Sequence, residues 1–139
     1  MEPADLPFED IVVGNSVSFE RIFTEEDVRT FAMLSGDENP LHVDESYAAG
    51  TRFKRPLVHG MLAGILCSTL VGMHLPGKRC LYVRQTLSFR NPIFVGDTLL
   101  VKGVVSEKIE STRMLSLAIS ITCDGIEAVE GIATVQVLL

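Results

Sequence analysis

The chain contains 139 residues, of which 47% are hydrophobic and 22% are charged. A chain of this length and composition forms one folded domain with a single core, spanning residues 1–139, and is not disordered. The formal net charge of −6 disfavours nucleic acid or an anionic membrane surface as a partner, because both repel an acidic protein. A phosphate-bearing small molecule still fits, provided that a few basic residues converge locally.

Cysteine usage indicates a reducing compartment. The three cysteines, Cys67, Cys80 and Cys123, are far apart and outside any CxxC motif, so the sequence predicts neither a disulfide framework nor a cysteine zinc site. Cys67 falls in an apolar stretch, where a packed, inert thiol is expected. The first ten residues have neither a signal nor a transit pattern. We therefore expect a cytoplasmic protein, or one of the mitochondrial matrix if the chain is a trimmed eukaryotic one.

The N-terminal part predicts one strand followed by one amphipathic helix. Ser16–Ile22 alternates between apolar and polar residues, as a half-buried strand does. Thr24 is the predicted N-cap of the helix, with Asp27 in the position that reaches back to the Thr24 amide. An apolar stripe follows at helical spacing: Val28, Phe31, Ala32 and Leu34. Pro40 disfavours a helical conformation of the residue before it, so the helix is predicted to end near Gly36.

The most apolar stretch predicts a helix over residues 60–74. Such a helix is about 22 Å long, shorter than the roughly 30 Å of a bilayer core, so no membrane span is expected. Its apolar residues point to every side of the axis: Met61, Leu62, Ile65, Leu66, Leu70, Val71 and Met73. A helix that is apolar all round is expected to be buried all round. Pro76 and Gly77 end it.

After the helix the sequence period becomes that of β-strands. Residues 81–90 alternate as one strand, with Leu81, Val83, Gln85, Leu87 and Phe89 on one face. Further strands are predicted at residues 99–109, 114–123 and 127–138. Asp124-Gly125 predicts a tight hairpin turn between the last two. The fold class is therefore α+β: an antiparallel β-sheet of about five strands wrapped around a long central helix. The open sheet edges favour pairing of two copies.

Polar residues crowd the segment after the first helix, which is predicted to be a loop. They are Asp37, Asn39, His42 and Asp44. A carboxylate and an imidazole that converge on one water form an acid–base pair, because imidazole titrates near neutral pH and burial tunes a carboxylate. The alternative is an ordinary turn in which these side chains cap backbone amides. As metal ligands, His42 and Asp44 form an incomplete set, so no metal is expected.

The start of the central helix is the second polar feature. Free backbone N–H groups at a helix N-terminus favour developing negative charge, and Gly60 lets a ligand carbonyl approach that backbone. The alternative is a glycine required only for packing. His59 is interpreted as a structural residue that buttresses the helix entry.

Three motifs occur in order along the chain. The first is Asp37-x-Asn39-Pro40-x-His42-x-Asp44-x-x-x-Ala48. The second is Pro56-Leu57-Val58-His59-Gly60-Met61. The third is Ser88-Phe89-x-x-Pro92-x-x-x-Gly96-Asp97. Together they resemble the MaoC-like, (R)-specific enoyl-CoA hydratase family. The resemblance covers most of the chain, from about Gly14 onward, and implies the hot-dog fold, in which a sheet wraps a long helix.

The resemblance also implies roles for individual residues. Asp37 and His42 are expected to be the catalytic dyad, and Gly60 is expected to supply the amide that polarises the thioester carbonyl. Asn39 is expected to hold the water and its segment, and Ser68 to line the pocket. No cofactor is expected beyond the coenzyme A or acyl carrier protein of the thioester substrate, and a single hot-dog unit is expected to form a homodimer.

The expected reaction is the reversible addition of water to trans-2-enoyl thioesters. Arg84 and Arg90, with Lys54 and Arg55, are the candidates to bind coenzyme A phosphates; the alternative for each is a solvated surface charge. Two other functions remain open. A hot-dog thioesterase shares the scaffold but hydrolyses the thioester, and a non-catalytic acyl-CoA-binding module binds without turnover.

Overall fold

The structure, a computed structural model, describes all residues from 1 to 139. The strands are β1 (Ser16–Ile22), β2 (Cys80–Gln85), β3 (Ser88–Phe89), β4 (Thr98–Ile109), β5 (Met114–Cys123) and β6 (Ile126–Val137). The α-helices are α1 (Glu25–Ser35), α2 (Pro40–Val43), α3 (Glu45–Ala49) and α4 (Gly60–Thr69). A 3-10 turn covers Phe8–Asp10, and a π-helical turn, Leu70–His74, continues α4.

One antiparallel sheet holds all six strands. Its main path runs β1-β4-β5-β6-β2, and β3 also pairs with β6. The β5–β6 hairpin turns at Asp124 and Gly125, both with positive φ, as a tight hairpin turn requires. Alternate residues of β5, Leu115, Leu117, Ile119 and Ile121, are buried on the helix side. The α+β architecture of a sheet around a helix is thus confirmed.

The first helix begins and ends as predicted. The Thr24 hydroxyl accepts from the Asp27 amide and the Asp27 carboxylate accepts from the Thr24 amide, which forms a capping box. At the C-terminal end Gly36 adopts φ +79°, a left-handed cap that glycine accommodates. The predicted apolar stripe was wrong at one position, because Leu34 is 86% exposed. Helix α1 packs through Val28 and Ala32, and Leu34 faces away from them.

The central helix occupies the predicted range but is not buried on every side. Leu62, Ala63, Leu66 and Cys67 of α4 are buried in the main core, where each large side chain contributes about 1.5–3 kcal/mol. The opposite stripe is exposed in the single chain: Met61, Ile65 and Ser68. One sheet can cover only one side of a helix, so the prediction of all-round burial was wrong for this chain. None of the four α-helices combines the length and the hydrophobicity that a bilayer span requires.

The predicted strand over residues 81–90 is divided into β2 and β3. Register shifts between Tyr82 and Arg84, and pairing stops after Gln85 before it resumes at Ser88. At this break the Thr86 carbonyl oxygen would lie 1.8 Å from a Cβ on Gly131 of β6. Gly131 therefore permits a close backbone contact with Thr86 that two regularly paired strands do not make. The predicted alternation of residues 81–90 is interrupted at this contact.

Candidate active site

The polar segment between α1 and α4 is more ordered than the predicted loop. Asn39 is the N-cap of α2, with its Oδ1 accepting from the Leu41 amide at 2.9 Å. Asp44 is the N-cap of α3, with its Oδ1 accepting from the Tyr47 amide at 3.0 Å. His42 therefore lies in a short helix rather than a loop, because the two side chains supply the caps that make one helical turn stable. The cap uses the side-chain oxygen of Asn39, and its expected role in holding the water stays a prediction.

The Asp37 carboxylate lies at the end of α1 and is exposed. One of its oxygens accepts from the Asn39 amide at 3.2 Å, and the Asp37 amide donates to the Ser35 hydroxyl at 3.1 Å. These local bonds hold the backbone around Asp37. The second carboxylate oxygen makes no hydrogen bond within the protein, so it is available to a water or ligand.

His42 is half-buried. The hydrogen bond of one ring nitrogen determines whether the other nitrogen carries a proton or a lone pair. Its Nδ1 lies 2.8 Å from the Leu57 carbonyl oxygen. A carbonyl can only accept, so the proton of a neutral His42 ring is on Nδ1, and Nε2 carries a lone pair. This is the state of an imidazole that can take a proton from water. The Leu57 amide in turn donates to the Leu41 carbonyl, which joins α2 to the segment leading into α4.

One water can bridge the predicted dyad. A carboxylate oxygen of Asp37 and a ring nitrogen of His42 lie within 4.8 Å of one another, together with a ring nitrogen of His59. Two hydrogen bonds of about 2.8 Å each can span that distance through one water molecule. The geometry is compatible with the predicted acid–base pair; the roles of Asp37 and His42 stay a prediction.

The same three side chains are of the types that bind a divalent cation. The His42 and His59 rings are stacked, with centroids 4.0 Å apart and planes at 26°. Ring-nitrogen lone pairs lie in the ring planes, so nearly parallel rings direct them side by side rather than toward one tetrahedral centre. The arrangement fits a hydrogen-bonding role better than a metal site.

Gly60 begins α4, immediately after His59. The first N–H groups of a helix have no carbonyl partner one turn earlier, so they point free donors at whatever lies beyond the helix end. The aromatic ring of Phe89 covers this glycine: a Cβ there would be 2.9 Å from Phe89 Cε1. A larger residue at this position would have to displace the Phe89 ring.

Two cavities lie beside His42. One, of about 340 Å³, is lined by His42, Glu25, Arg29, Arg55 and neighbours. The other, of about 270 Å³, contains both His42 and Gly60, with Phe89, Arg52 and Arg90 on its wall. A larger cavity of about 570 Å³, lined by Lys102, Ser120, Glu130 and others, contains none of the predicted site residues. The second cavity is the candidate entrance, since it alone contains both His42 and Gly60.

The remaining predicted binding residues do not all lie near this cavity. Arg90 lines it, and its guanidinium is paired with Glu130, Nε to Oε1 at 2.9 Å; this bond lowers the pKa of the Glu130 carboxyl. Arg84 lines a separate cavity, with Glu107 and Thr134. Ser68 lies on the exposed stripe of α4 and in neither cavity beside His42. The binding roles of these residues stay predictions.

Two neighbours of the dyad were not predicted as site residues. Arg52 stands in a basic run, residues 52–55, from which only Lys54 and Arg55 were chosen. His59 was interpreted as structural, but its ring contacts His42 and bonds to the Asp37 backbone. No local pattern distinguishes His59 from other residues that precede a helix. The sequence signal for Arg52 was its place in the basic run.

Comparison with known proteins identifies the family. A family model described as a MaoC like domain matches residues 10–123. The (R)-specific enoyl-CoA hydratase of Rhodospirillum rubrum is 39% identical over 130 residues, covering 94% of this chain and 90% of that protein. The 3-hydroxybutyryl-CoA dehydratase of Methylorubrum extorquens is 37% identical over 132 residues, covering 95% and 84%.

The solved structures agree with the sequence relatives. The (R)-hydratase from A. caviae involved in PHA biosynthesis superposes with a TM-score of 0.90 at 41% identity, covering 93% of this chain and 98% of that one. The predicted hot-dog fold is thereby confirmed. In this chain α4 begins at Gly60, and the segment before it brings His42 and Asp37 beside His59. This chain belongs to the MaoC-like dehydratase family.

Proposed function

We propose that this chain catalyses the reversible hydration of trans-2-enoyl thioesters to (R)-3-hydroxyacyl thioesters. The single observation that carries the proposal is the approach of an Asp37 oxygen and a His42 nitrogen to within 4.8 Å, close to the helix that starts at Gly60. The names of the relatives, a hydratase and a dehydratase, describe the two directions of one reaction. The chain is accordingly a hydro-lyase.

In the hydration direction a water lies between the two side chains. The lone pair on His42 Nε2 takes one proton as the water oxygen bonds to C3, while the Asp37 carboxylate accepts a hydrogen bond from the other. The electrons of the double bond move toward the thioester carbonyl, and the proton held by the pair is then delivered to C2. Acid–base assistance of this kind contributes about 10²–10⁴ in rate.

The amide at the start of α4 acts on the other end of the conjugated system. Negative charge that develops on the thioester oxygen is stabilised by the Gly60 N–H, which is fixed before the reaction begins and is reinforced by the helix N-terminus. One donor of this type typically contributes about 10²–10³ in rate. The chemistry uses side chains, one amide and water, so it needs no cofactor.

The thioester carrier is proposed to enter through the cavity that contains His42 and Gly60. Arg52 and Arg90 stand on its wall, where guanidinium groups suit the phosphates of coenzyme A or of the acyl carrier protein arm. Arg84 is a weaker candidate, since it lines another cavity. The compartment, cytoplasm or mitochondrial matrix, stays a prediction from sequence.

A second copy of the chain is proposed to cover the exposed apolar surface. On α4 the exposed fractions are 59% for Met61 and 47% for Ile65, and on the edge strand β2 they are 49% for Leu81 and 53% for Val83. Strand β2 ends the sheet and leaves its outer backbone groups free to pair. An isologous dimer buries such a stripe and an open edge together.

The test is hydration of crotonyl-CoA, followed by loss of the enoyl absorbance. Asp37→Asn and His42→Ala are each expected to lower kcat by at least about 10²-fold with little change in Tm. Asp124→Asn is the matched control, because Asp124 lies in the β5–β6 turn, where Asn also accepts positive φ. Near-normal turnover by either dyad variant contradicts the mechanism.

Product analysis separates the rival functions. Chiral analysis is expected to give the (R)-3-hydroxyacyl product, and an (S) product contradicts the proposal. Release of free thiol together with crotonate, without a 3-hydroxyacyl thioester, indicates a thioesterase. Binding of crotonyl-CoA without turnover indicates a non-catalytic module.

A further inference from the structure

His59 is a buried histidine at the centre of the candidate site. It is 2% exposed and is the one buried residue with a polar or charged side chain. It serves as the N-cap residue of α4, yet its side chain makes no capping bond. Its ring is therefore not used for the side-chain hydrogen bond that an N-cap residue usually makes to the first turn of its helix.

One ring nitrogen of His59 holds the backbone of Asp37. Nε2 lies 2.9 Å from the Asp37 carbonyl oxygen, a contact between residues 22 positions apart in the chain. The carbonyl only accepts, so the proton of the neutral ring is on Nε2. Nδ1 is buried and makes no hydrogen bond. The ring therefore holds Asp37 through Nε2 alone, and Nδ1 of this tautomer carries a lone pair.

The face of the His59 ring supports His42. The two rings stack with centroids 4.0 Å apart and planes at 26°, and the Phe31 ring of α1 meets His59 edge-on at 4.8 Å. His42 is held at its edge by the Leu57 carbonyl and at its face by His59. Its ring can therefore neither slide nor tilt far without breaking one of these contacts.

His59 joins three parts that the chain keeps apart. It bonds to the residue that carries the carboxylate, stacks on the imidazole, and is covalently next to the Gly60 amide. We propose that His59 is the positioning residue of the site. It sets the distance between Asp37 and His42 and the position of both relative to the start of α4. This inference rests on the proposed hydratase function. A misplacement of about 1 Å can cost roughly 10²-fold in rate, so its effect falls on kcat.

Three substitutions of His59 distinguish its hydrogen bond to the Asp37 carbonyl from its stacking on His42. His59→Gln places an amide N–H close to the position of Nε2, so it keeps the bond to Asp37 without the ring. His59→Asn carries the same amide one methylene shorter and does not reach. His59→Phe keeps a ring against His42 and removes the donor. Gln and Asn are thus a matched pair for the hydrogen bond, and Phe tests stacking alone.

The expected result is a graded loss of kcat that does not follow stability. His59→Gln is expected to remain within about 10-fold of the wild-type kcat, while Asn and Phe fall by about 10²-fold. KM for crotonyl-CoA is expected to change by less than about 3-fold, because His59 does not line either cavity beside His42. The Phe variant is expected to keep a Tm close to that of wild type, because removal of the buried, unbonded Nδ1 offsets the cost of the larger ring.

Imidazole ¹⁵N spectra provide a readout that simple core packing does not move. In the wild-type protein the His59 signals are expected to be those of an Nε2–H, Nδ1-unprotonated ring. The His42 signals are expected to shift in His59→Gln, which loses the stack, more than in His59→Phe. An Nδ1–H tautomer for His59 contradicts the proposal, and so does a kcat within 3-fold of wild type for both Asn and Phe.

The proposal is also contradicted if kcat falls in the same order as Tm among the three variants, with the kcat of His59→Gln no higher than that of His59→Asn. If His59→Asn does not fold, the comparison of kcat between His59→Gln and His59→Phe tests the proposal. Failure of the proposed function is a different outcome, namely a wild-type protein that does not hydrate crotonyl-CoA. In that case the tautomer of His59 and the His42 shifts still test the arrangement.

Discussion

Phe89 of β3 packs against Gly60, the first residue of α4, at a separation that only glycine allows. A Cβ on Gly60 would approach Phe89 Cε1 to 2.9 Å and Cδ1 to 3.0 Å, closer than two carbon atoms normally pack. The Phe89 side chain is 51% exposed, so it has room to move away. The contact therefore links the position of β3 to the amide proposed to bind the thioester oxygen.

Replacement of Gly60 by alanine is expected to displace the Phe89 ring into the cavity that both residues line. Because the amide remains, kcat/KM for crotonyl-CoA is expected to fall by about 10-fold, through misplacement of the substrate, with a Tm close to wild type. The double variant Gly60→Ala/Phe89→Ala is expected to recover the activity of Phe89→Ala alone. Additive losses in this double-mutant cycle would show that the methyl group acts without Phe89.

Arg90 and Arg84 are expected to differ in their effect on substrate binding. Arg90 lines the cavity of His42 and Gly60, and Arg84 lines another. Arg90→Gln is expected to raise KM for crotonyl-CoA by about 10-fold, the loss of one charge-assisted hydrogen bond. Arg84→Gln is the control and is expected to leave KM unchanged. A KM increase for Arg84→Gln of the same size would assign the carrier to the other cavity.

The Glu130 partner of Arg90 supplies an independent check. The bond to Arg90 holds the pKa of the Glu130 carboxyl below its usual value, and the paired carboxylate competes with a substrate phosphate for the guanidinium. Glu130→Gln is expected to lower KM for crotonyl-CoA, because the competing charge is removed. An unchanged KM would mean that Arg90 does not reach the carrier.

The oligomeric state is expected to depend on the exposed face of α4. Ile65→Asp places a carboxylate in the proposed dimer contact and is expected to yield monomers in sedimentation velocity experiments, since an unpaired buried charge is costly. Leu100→Asp is the matched control: Leu100 is similarly exposed, at 43%, but it lies on β4, a strand with a neighbour on each side. If only the control variant dissociates, the dimer contact lies on the outer face of the sheet instead.

The capping box of α1 is expected to make stability depend on pH at the acid end. The Thr24 backbone amide donates to the Asp27 carboxylate and holds its pKa below the usual 3.8, with Arg21 adding to the effect. A lowered pKa in the folded state stabilises the protein above about pH 3.8 and ceases to do so as pH falls through the lowered value. The cap contributes about 1 kcal/mol.

Urea unfolding of Asp27→Asn and wild type provides the measurement. The difference in unfolding free energy is expected to be largest at neutral pH and to shrink at a strongly acid pH, below the lowered pKa, where Asp27 becomes protonated. Thr24→Ala, which removes the other half of the box, is expected to lose a similar free energy with a weaker pH dependence. An Asp27→Asn difference that is the same at both pH values would contradict the assignment.

Several structural elements of this protein could be predicted from short stretches of its sequence. The period of residues 114–123 predicted β5, Thr24 and Asp27 predicted the start of α1, and Asp124-Gly125 predicted the hairpin turn; the structure confirms each. These features depend on residues a few positions apart, so a single stretch of chain contains all the information. The motifs around Asp37 and His42 likewise predicted the family.

Contacts between distant residues were decided only by the tertiary structure. The break between β2 and β3 depends on the approach of Thr86 to Gly131, and the exposed side of α4 depends on a sheet that covers one face. The bond from His59 to the Asp37 carbonyl spans 22 positions. No local pattern encodes such a bond, because it exists only once the chain has folded and brought the ends of α1 and α4 together.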